Sequence, residues 1–455
     1  MHRTAIAYLE KDWLVSPQRK PLIIRGARQV GKTWLVRHLA ASSKRQLIEL
    51  NFEKQPQLAS LFTTNDINQI LVNLSVVVNE KIDPQKCLLF LDEIQAAPEV
   101  LSKLRWFSED LPQLPIIATG SLLEFVLESH TFSMPVGRIT YMHLEPLSFE
   151  EFLLARDKSL LCDYINNFQY DGEIPIYIHD ELTSMFKEFI IIGGMPAAIS
   201  NWVEEQSLFR VSQIHHDLLA TYRDDFAKYS GRITLDKLDE VMMSIPKNLC
   251  KKFVYSNVNP SFNTNTVKQV LLLLNKARIC HRVSSASANG IPLGAEIKEK
   301  YFKEIFLDTG LCSAALGLSY SQVKDVHEIS YINKGEIAEQ VAGQLLRTIE
   351  PFYIEPSLYY WQRDEKGSSA EVDYLIQHGN KIIPIEVKAG SSGTLKSLHL
   401  LMESKKLDTA IRIHSNRATI TKVEHKNRDK KLIKYKLISI PFYLMGQIHR
   451  LLDLS

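Results

Sequence analysis

The chain has 455 residues, enough for about three domains, with 45% hydrophobic and 23% charged residues and a net charge of +2. That composition excludes a disordered or fibrous chain, and the near-neutral balance excludes a global field for nucleic acid, so any basic surface must be local. The first residues lack a signal-type apolar core and no run approaches a membrane span, so no membrane partner is expected and the cytoplasm is the expected location. The five scattered cysteines, with no Cys-x-x-Cys spacing, agree with a reducing compartment and argue against a zinc site.

In chain order, Leu22-Ile23-Ile24 predicts a short buried strand. It runs into Gly26-Ala27-Arg28-Gln29-Val30-Gly31-Lys32-Thr33, a complete G-x-x-x-x-G-K-[ST] loop, and Trp34 to Ala40 reads as the helix that follows. Strand, glycine loop and helix is the context a phosphate-binding loop requires. Backbone N–H groups from Gly26 to Trp34, with the positive helix end, form a cradle for phosphate oxygens. Lys32 is expected on the β- and γ-phosphates and the Thr33 hydroxyl on Mg²⁺, so ATP is the expected ligand.

Leu88-Leu89-Phe90-Leu91 predicts a buried parallel strand ending in Asp92-Glu93, at the end where α/β sheets place their ligands. Asp92 is expected to hold Mg²⁺, directly or through water, and Glu93 to polarise the attacking water. Another strand, 114–118, runs into Thr119-Gly120-Ser121. A hydroxyl there can report the γ-phosphate. Ser121 also fits a helix N-cap, which favours Thr119 for that role. Arg138, after Gly137, is a candidate for neutralising transition-state charge, in cis or across a subunit boundary of a homo-oligomer.

Taken together with Leu144-Glu145-Pro146-Leu147-Ser148-Phe149-Glu150-Glu151-Phe152 and Gly193-Gly194-Met195-Pro196, this order resembles the prokaryotic AAA-type ATPases that carry a C-terminal DUF4143 domain. The resemblance covers essentially the whole chain and is most specific at Gly137-Arg138 and 146–152. It implies an AAA+-like core over residues 1–145, a helical lid over 146–230, and Arg138 near the nucleotide.

From 231 to 330, Leu235–Met243 and Val267–Asn275 carry helical apolar spacing, the second behind Asn263-Thr264-Asn265, and 277–283 reads as a strand. Helix, capped helix and strand suggest a winged helix. Its second helix offers only Lys268, Gln269 and Lys276 to DNA, so a packing module is an equal alternative.

In the remainder, 331–455, 370–376 and 382–388 alternate as strands around Gly379-Asn380, a two-residue hairpin signal. That loop sets Asp373 opposite Glu386 and Glu371 opposite Lys388, on one sheet face. Adjacent carboxylates suit a divalent ion, and Lys388 could orient a nucleophile. The pattern resembles the PD-(D/E)XK nuclease core, with Asp373 and Glu386-x-Lys388 matching its motif and Glu336 its upstream helix Glu. The Gln or Lys that many cleaving members carry on the next helix has no clear match among Ser391, Ser392 and Lys396. The basic run 421–435 reads as a solvated hairpin rather than a DNA contact.

The expected fold is α/β: a P-loop AAA+-like ATPase, a helical lid, a winged-helix-like middle and a restriction-endonuclease-like C-terminal domain. Two functions follow as expectations: an ATPase coupled to DNA processing, or an ATP-dependent regulatory or scaffold protein that binds DNA or protein without cleavage.

Overall fold

Two sheets organise the described residues. The structure is a computed structural model and describes residues 2–120, 123, 134–170, 172–226, 234–318, 334–363, 370–390, 394–426 and 432–455.

After a short helix, α1 (Ala5–Tyr8), strands and helices alternate. They are β1 (Leu22–Arg25), α2 (Lys32–Ser42), β2 (Gln46–Asn51), α3 (Ile67–Val78), β3 (Cys87–Asp92), α4 (Val100–Asp110), β4 (Ile116–Thr119) and β5 (Thr140–His143). The five strands are parallel, in the order β2-β3-β4-β1-β5. Strands covered on both faces must be apolar on both, and Leu88-Leu89-Phe90-Leu91 of β3 are fully buried. Each such side chain stabilises by on the order of 1.5–3 kcal/mol. That burial carries Asp92, at the end of β3, into an interior position where it is 4% exposed. The strand order also sets β4 between β1 and β3. Thr119, the last residue of β4, therefore lies between the glycine loop after β1 and the carboxylate that ends β3.

Five helices follow: α5 (Phe149–Ala155), α6 (Ser159–Asn167), α7 (Ile176–Ile192), α8 (Pro196–Glu205) and α9 (Leu208–Phe226). Ser148 and Glu151 form a capping box that starts α5, each side chain accepting from the other's backbone N–H. Phe149 packs on Phe152, Phe186 and Phe189 with ring centroids 5.0 to 6.3 Å apart, in one continuous apolar core with β1 and α2.

Next come α10 (Leu235–Lys247), α11 (Thr264–Lys276), β6 (Cys280–Ala286), β7 (Ile297–Phe306), α12 (Thr309–Ala315) and α13 (Lys334–Leu346). The last part comprises β8 (Leu358–Gln362), β9 (Glu371–His378), β10 (Lys381–Val387), α14 (Lys396–Lys405), β11 (Thr409–His414), β12 (Thr419–Lys426), β13 (Leu432–Pro441) and α15 (Ile448–Asp453).

Here the structure departs from a division at residue 330. The helix, capped helix and hairpin of a winged helix occur in order, and Asn263 caps α11 by accepting from the Asn265 N–H at 2.8 Å. The hairpin is not a free wing, however. β6 pairs in parallel with β8, and one eight-stranded sheet runs β12-β13-β11-β10-β9-β8-β6-β7. The physical reason lies in β7, whose C-terminal half from Phe302 to Phe306 is buried on both faces and needs cover. Helix α13 supplies it. The Gln340 amide accepts from the Phe306 N–H and donates to the Phe306 carbonyl, both at 2.8 Å, and so satisfies the sheet edge as a further strand would.

The β9–β10 hairpin has the expected register: Lys381 opposite His378 and Ile385 opposite Tyr374, closed by Gly379-Asn380. The described part of the basic run lies on β12 and β13, where Lys434 pairs with Glu424 at 2.6 Å.

Candidate functional site

The glycine loop joins β1 to α2. Gly31 sits at φ 94°, a left-handed conformation that costs glycine little, and it turns the chain into the helix. Lys32 is buried and donates to the carbonyls of Gly26 at 2.9 Å and Ala27 at 2.8 Å. Thr33 Oγ1 lies 3.3 and 3.4 Å from the Asp92 carboxylate oxygens. Thr119 donates to Asp92 Oδ1 at 2.5 Å, and Asn51, at the end of β2, donates to Asp92 Oδ2 at 3.1 Å. Burial raises the Asp92 pKa, Glu93 and Glu49 add to that, and the bonds from Thr119 and Asn51 work against it. Glu93 follows in the left-handed region at φ 52°, with its carboxylate accepting from the Gln95 amide at 2.5 Å.

A cleft of about 390 Å³ opens over this loop, lined by Arg28, Gln29, Val30, Gly31, Lys32, Thr33, Trp34 and Glu93 from the core. Arg3 and, from α8, Pro196, Ala197 and Ser200 complete it. Trp34 stacks on His38 with centroids 4.7 Å apart. Arg28 is ion-paired with Asp225 of α9, and Tyr222 of the same helix donates to the Arg28 carbonyl at 2.9 Å. The helical layer thus grips the flank of the loop. Ser121, the alternative hydroxyl, lies outside the described residues.

Arg138 is not brought to this cleft. It precedes β5, and Thr140 of β5 pairs with Leu22 at the start of β1, whereas the glycine loop leaves the other end of β1. Its guanidinium is exposed and pairs with Glu109 of α4 at 2.7 Å. Proximity to the nucleotide of its own chain is therefore corrected: the strand polarity sets it at the opposite end of β1 from the glycine loop.

The link to the second sheet runs through Gly193-Gly194. A side chain on Gly193 would collide with the Asp308 carboxylate, so the close approach requires glycine. The Gly194 N–H donates to Asp308 Oδ2 at 2.5 Å, and Gln344 of α13 donates to the same oxygen at 3.1 Å. A second tie is the buried Glu145, which accepts from Arg347 at 2.8 and 3.0 Å. Against the cost of burial, Arg347 holds the Glu145 pKa down at about 2.

In the second sheet, Asp373, Glu386 and Lys388 come together as expected, but two further residues complete the group. Lys303 of β7, 3% exposed, pairs with Glu371 and, at 3.4 Å, with Glu339. Glu339, not Glu336, is the acid that α13 presents; it hydrogen-bonds Asp373. Glu336 lies three residues earlier, nearly one helical turn and about 4.5 Å of rise closer to the N-terminus of α13. Its carbonyl accepts from Cys250 instead.

The carboxylate oxygens do not suit a divalent ion as arranged. Asp373 Oδ2 accepts from the Val387 N–H at 2.7 Å, and Glu386 Oε1 accepts from Lys388 at 2.6 Å. Glu371 is taken by Lys303, and among the described residues no three His, Cys, Asp or Glu side chains are arranged to hold a metal. The expected ligand set of Glu336, Asp373 and Glu386 is corrected accordingly. Four carboxylates face two lysines here. Burial and Asp373 push the Glu339 and Glu386 pKa values up, to about 8 and about 7. Burial opposes the Lys303 charge, but Glu339, Glu371 and Asp373 outweigh it and raise its pKa. Of the residues near the missing nuclease Gln or Lys, Lys396 is exposed at the start of α14; Ser391 and Ser392 lie outside the described residues.

Sequence reasoning missed Asn51, Lys303 and Glu339. A Lys-Glu pair inside the apolar run 301–307 was the available signal for Lys303.

Comparison with known proteins gives three matches along the chain. Residues 18–153 match the AAA domain, 183–322 a domain of unknown function (DUF8612), and 334–443 a domain of unknown function (DUF4143). No curated protein matches. Among solved structures, AMPPCP-bound DnaA from Aquifex aeolicus aligns with 60% of this chain and 86% of that one, at 14% identity and a TM-score of 0.27. A likeness that loose has no bearing on function. Among the described residues no helix is long and apolar enough to cross a membrane.

Proposed function

We propose that this chain, which carries an AAA-type ATPase domain followed by a DUF4143 domain, is an ATP-hydrolysing switch that passes its nucleotide state to a DNA-interacting C-terminal half. The observation that carries the ATPase part is the convergence of Thr33, Thr119 and Asn51 on Asp92 beside Lys32. In this reading Lys32 binds the β- and γ-phosphates, Thr119 senses the γ-phosphate, and Glu93 positions the attacking water. Thr33 and Asp92 offer the hard oxygens that Mg²⁺ takes, and the ion would offset phosphate charge when bound.

Transmission is supported by a contiguous set of contacts. Pro196 stands where a Cβ on Gly31 would reach 3.6 Å from its ring. Two residues before it, Gly194 bonds Asp308, which bonds Gln344 on the helix that also carries Glu339. The DNA part is supported by α11, whose exposed face holds Lys268 and Gln269 while Val267, Val270, Leu271 and Leu274 are buried. Fluorescence anisotropy on duplex DNA at fixed salt tests it. We expect affinities that differ at least about tenfold between ADP and a non-hydrolysable ATP analogue, a coupling of typical size, and weaker binding for Lys268→Glu. Equal affinities in both nucleotide states would remove the coupling.

Arg138 fits this reading only across a subunit boundary, which implies a homo-oligomer. Arg138→Ala should then lower ATP turnover more than ATP affinity. Mixing it with Lys32→Ala chains should recover activity, because the mixed interface pairs an intact Arg138 with an intact loop. Turnover that is unchanged and independent of protein concentration makes Arg138 structural.

A second reading, a regulatory or scaffold protein that binds DNA or protein without cleaving, is favoured by one observation: the C-terminal carboxylates hold a lysine, not an open ion site.

A further inference from the structure

We propose that Lys303 is the resident cation of the C-terminal carboxylate group and stands in for the divalent ion that the nuclease-like motif implies. The inference deepens the non-cleaving reading and rests on it.

Lys303 comes from the edge strand β7, reaches over the sheet face, and lies 5.0 Å from the centre of the Tyr360 ring. Its ammonium ends between Glu371 of β9 and Glu339 of α13. The surroundings hold it there. Gln340, next to Glu339, fixes α13 to β7 through both Phe306 backbone groups. The Tyr374 hydroxyl donates to the Glu339 carbonyl at 2.8 Å. A Cβ on Gly343 would fall 2.5 Å from that hydroxyl oxygen, so the helix lies as close to the sheet as its residues permit.

The alternative is an ion held by Asp373 and Glu386. The oxygens such an ion needs are engaged by Val387 and Lys388. Of the Asp373 and Glu386 oxygens among the described residues, Glu386 Oε2 alone is buried without a partner, and one oxygen does not make a divalent site. The buried Lys303 ammonium instead offsets carboxylate charge through its two ion pairs, with Glu371 and Glu339. The substitution has a further consequence. With the lysine removed, Glu371 and Glu339 lose their partner in a buried site, which is costly unless a cation or protons enter.

The experiment counts Mn²⁺ bound to the full chain by electron paramagnetic resonance, without nucleotide. Each protein is compared with its Asp373→Asn partner so that ions elsewhere cancel. The parent and its Asp373→Asn partner should bind equal amounts. Lys303→Ala should bind one Mn²⁺ more than the double variant, and Mn²⁺ should raise its Tm by about 2–4 °C or more while leaving the parent unmoved. Lys303→Gln serves where the alanine chain does not fold. Lys303→Arg, which keeps the charge, should gain no ion.

One Mn²⁺ on the parent that Asp373→Asn removes overturns the proposal. So does a folded Lys303→Ala or Lys303→Gln chain that gains none. A parent that binds this ion yet leaves DNA intact removes the role of Lys303 and keeps the non-cleaving reading. A parent that binds it and cuts DNA removes both.

Discussion

Replacing Lys32 by alanine should abolish ATP binding without unfolding the chain. In the structure the ammonium rests on two carbonyls of its own loop, Gly26 and Ala27. In the proposed reading it exchanges them for phosphate oxygens, which are charged and bind it more strongly. Two unit charges 4 Å apart near a protein surface interact by about 4 kcal/mol. Losing that weakens binding by roughly a thousandfold, since each 1.4 kcal/mol is tenfold. The side chain contributes little packing that alanine would forfeit, because Leu35, Val36, Leu39 and Ala40 seat α2 in the core. Isothermal titration with ATP, beside a thermal melt of both proteins, checks the outcome. Wild-type affinity in a folded variant would mean the loop does not hold the phosphates.

Glu93→Gln should leave ATP bound and slow hydrolysis by ~10²–10⁴-fold, the usual loss when a general base is removed. The amide keeps the shape of the side chain, and its oxygen can still accept from the Gln95 amide. What disappears is the charge that draws a proton from water. Single-turnover hydrolysis measured beside nucleotide affinity separates the two effects. An unchanged rate would shift the role to Asp92, although that carboxylate is already committed to Thr119 and Asn51.

The nucleotide cradle was legible because its chemistry dictates residue identity. A Cβ on Gly26 would lie 2.4 Å from the Leu144 carbonyl oxygen, Gly31 takes a positive φ, and in the proposed reading the phosphate charge demands Lys32. The β9–β10 register was legible because a two-residue loop and a period of two leave one pairing that keeps Ile383 and Ile385 inside. Arg138 was misplaced for a reason visible in hindsight. It comes before its strand, and parallel sheets collect ligands after their strands. Glu336 and Glu339 could not be separated from local sequence. Which one meets Asp373 depends on how α13 lies on the sheet, and Gln340 fixes that through a backbone far along the chain. Lys303 was hidden for the same reason: it belongs to the middle segment by position and to the last sheet by pairing.

That eight-stranded sheet bears on how such a chain can be inherited. Cut before residue 331, the C-terminal part would keep six strands, from β8 to β13, and lose β6 and β7. The flank of β8 that meets Val283 and Ser285 would then present bare N–H and carbonyl groups, an invitation to stick to other copies. Glu339 and Glu371 would lose their shared counter-charge at the same stroke. The last quarter of the chain is thus not a cartridge that recombination could lift out at that point. A gene exchange that preserves function has to carry the β6–β7 hairpin with it, or bring a replacement strand bearing its own lysine.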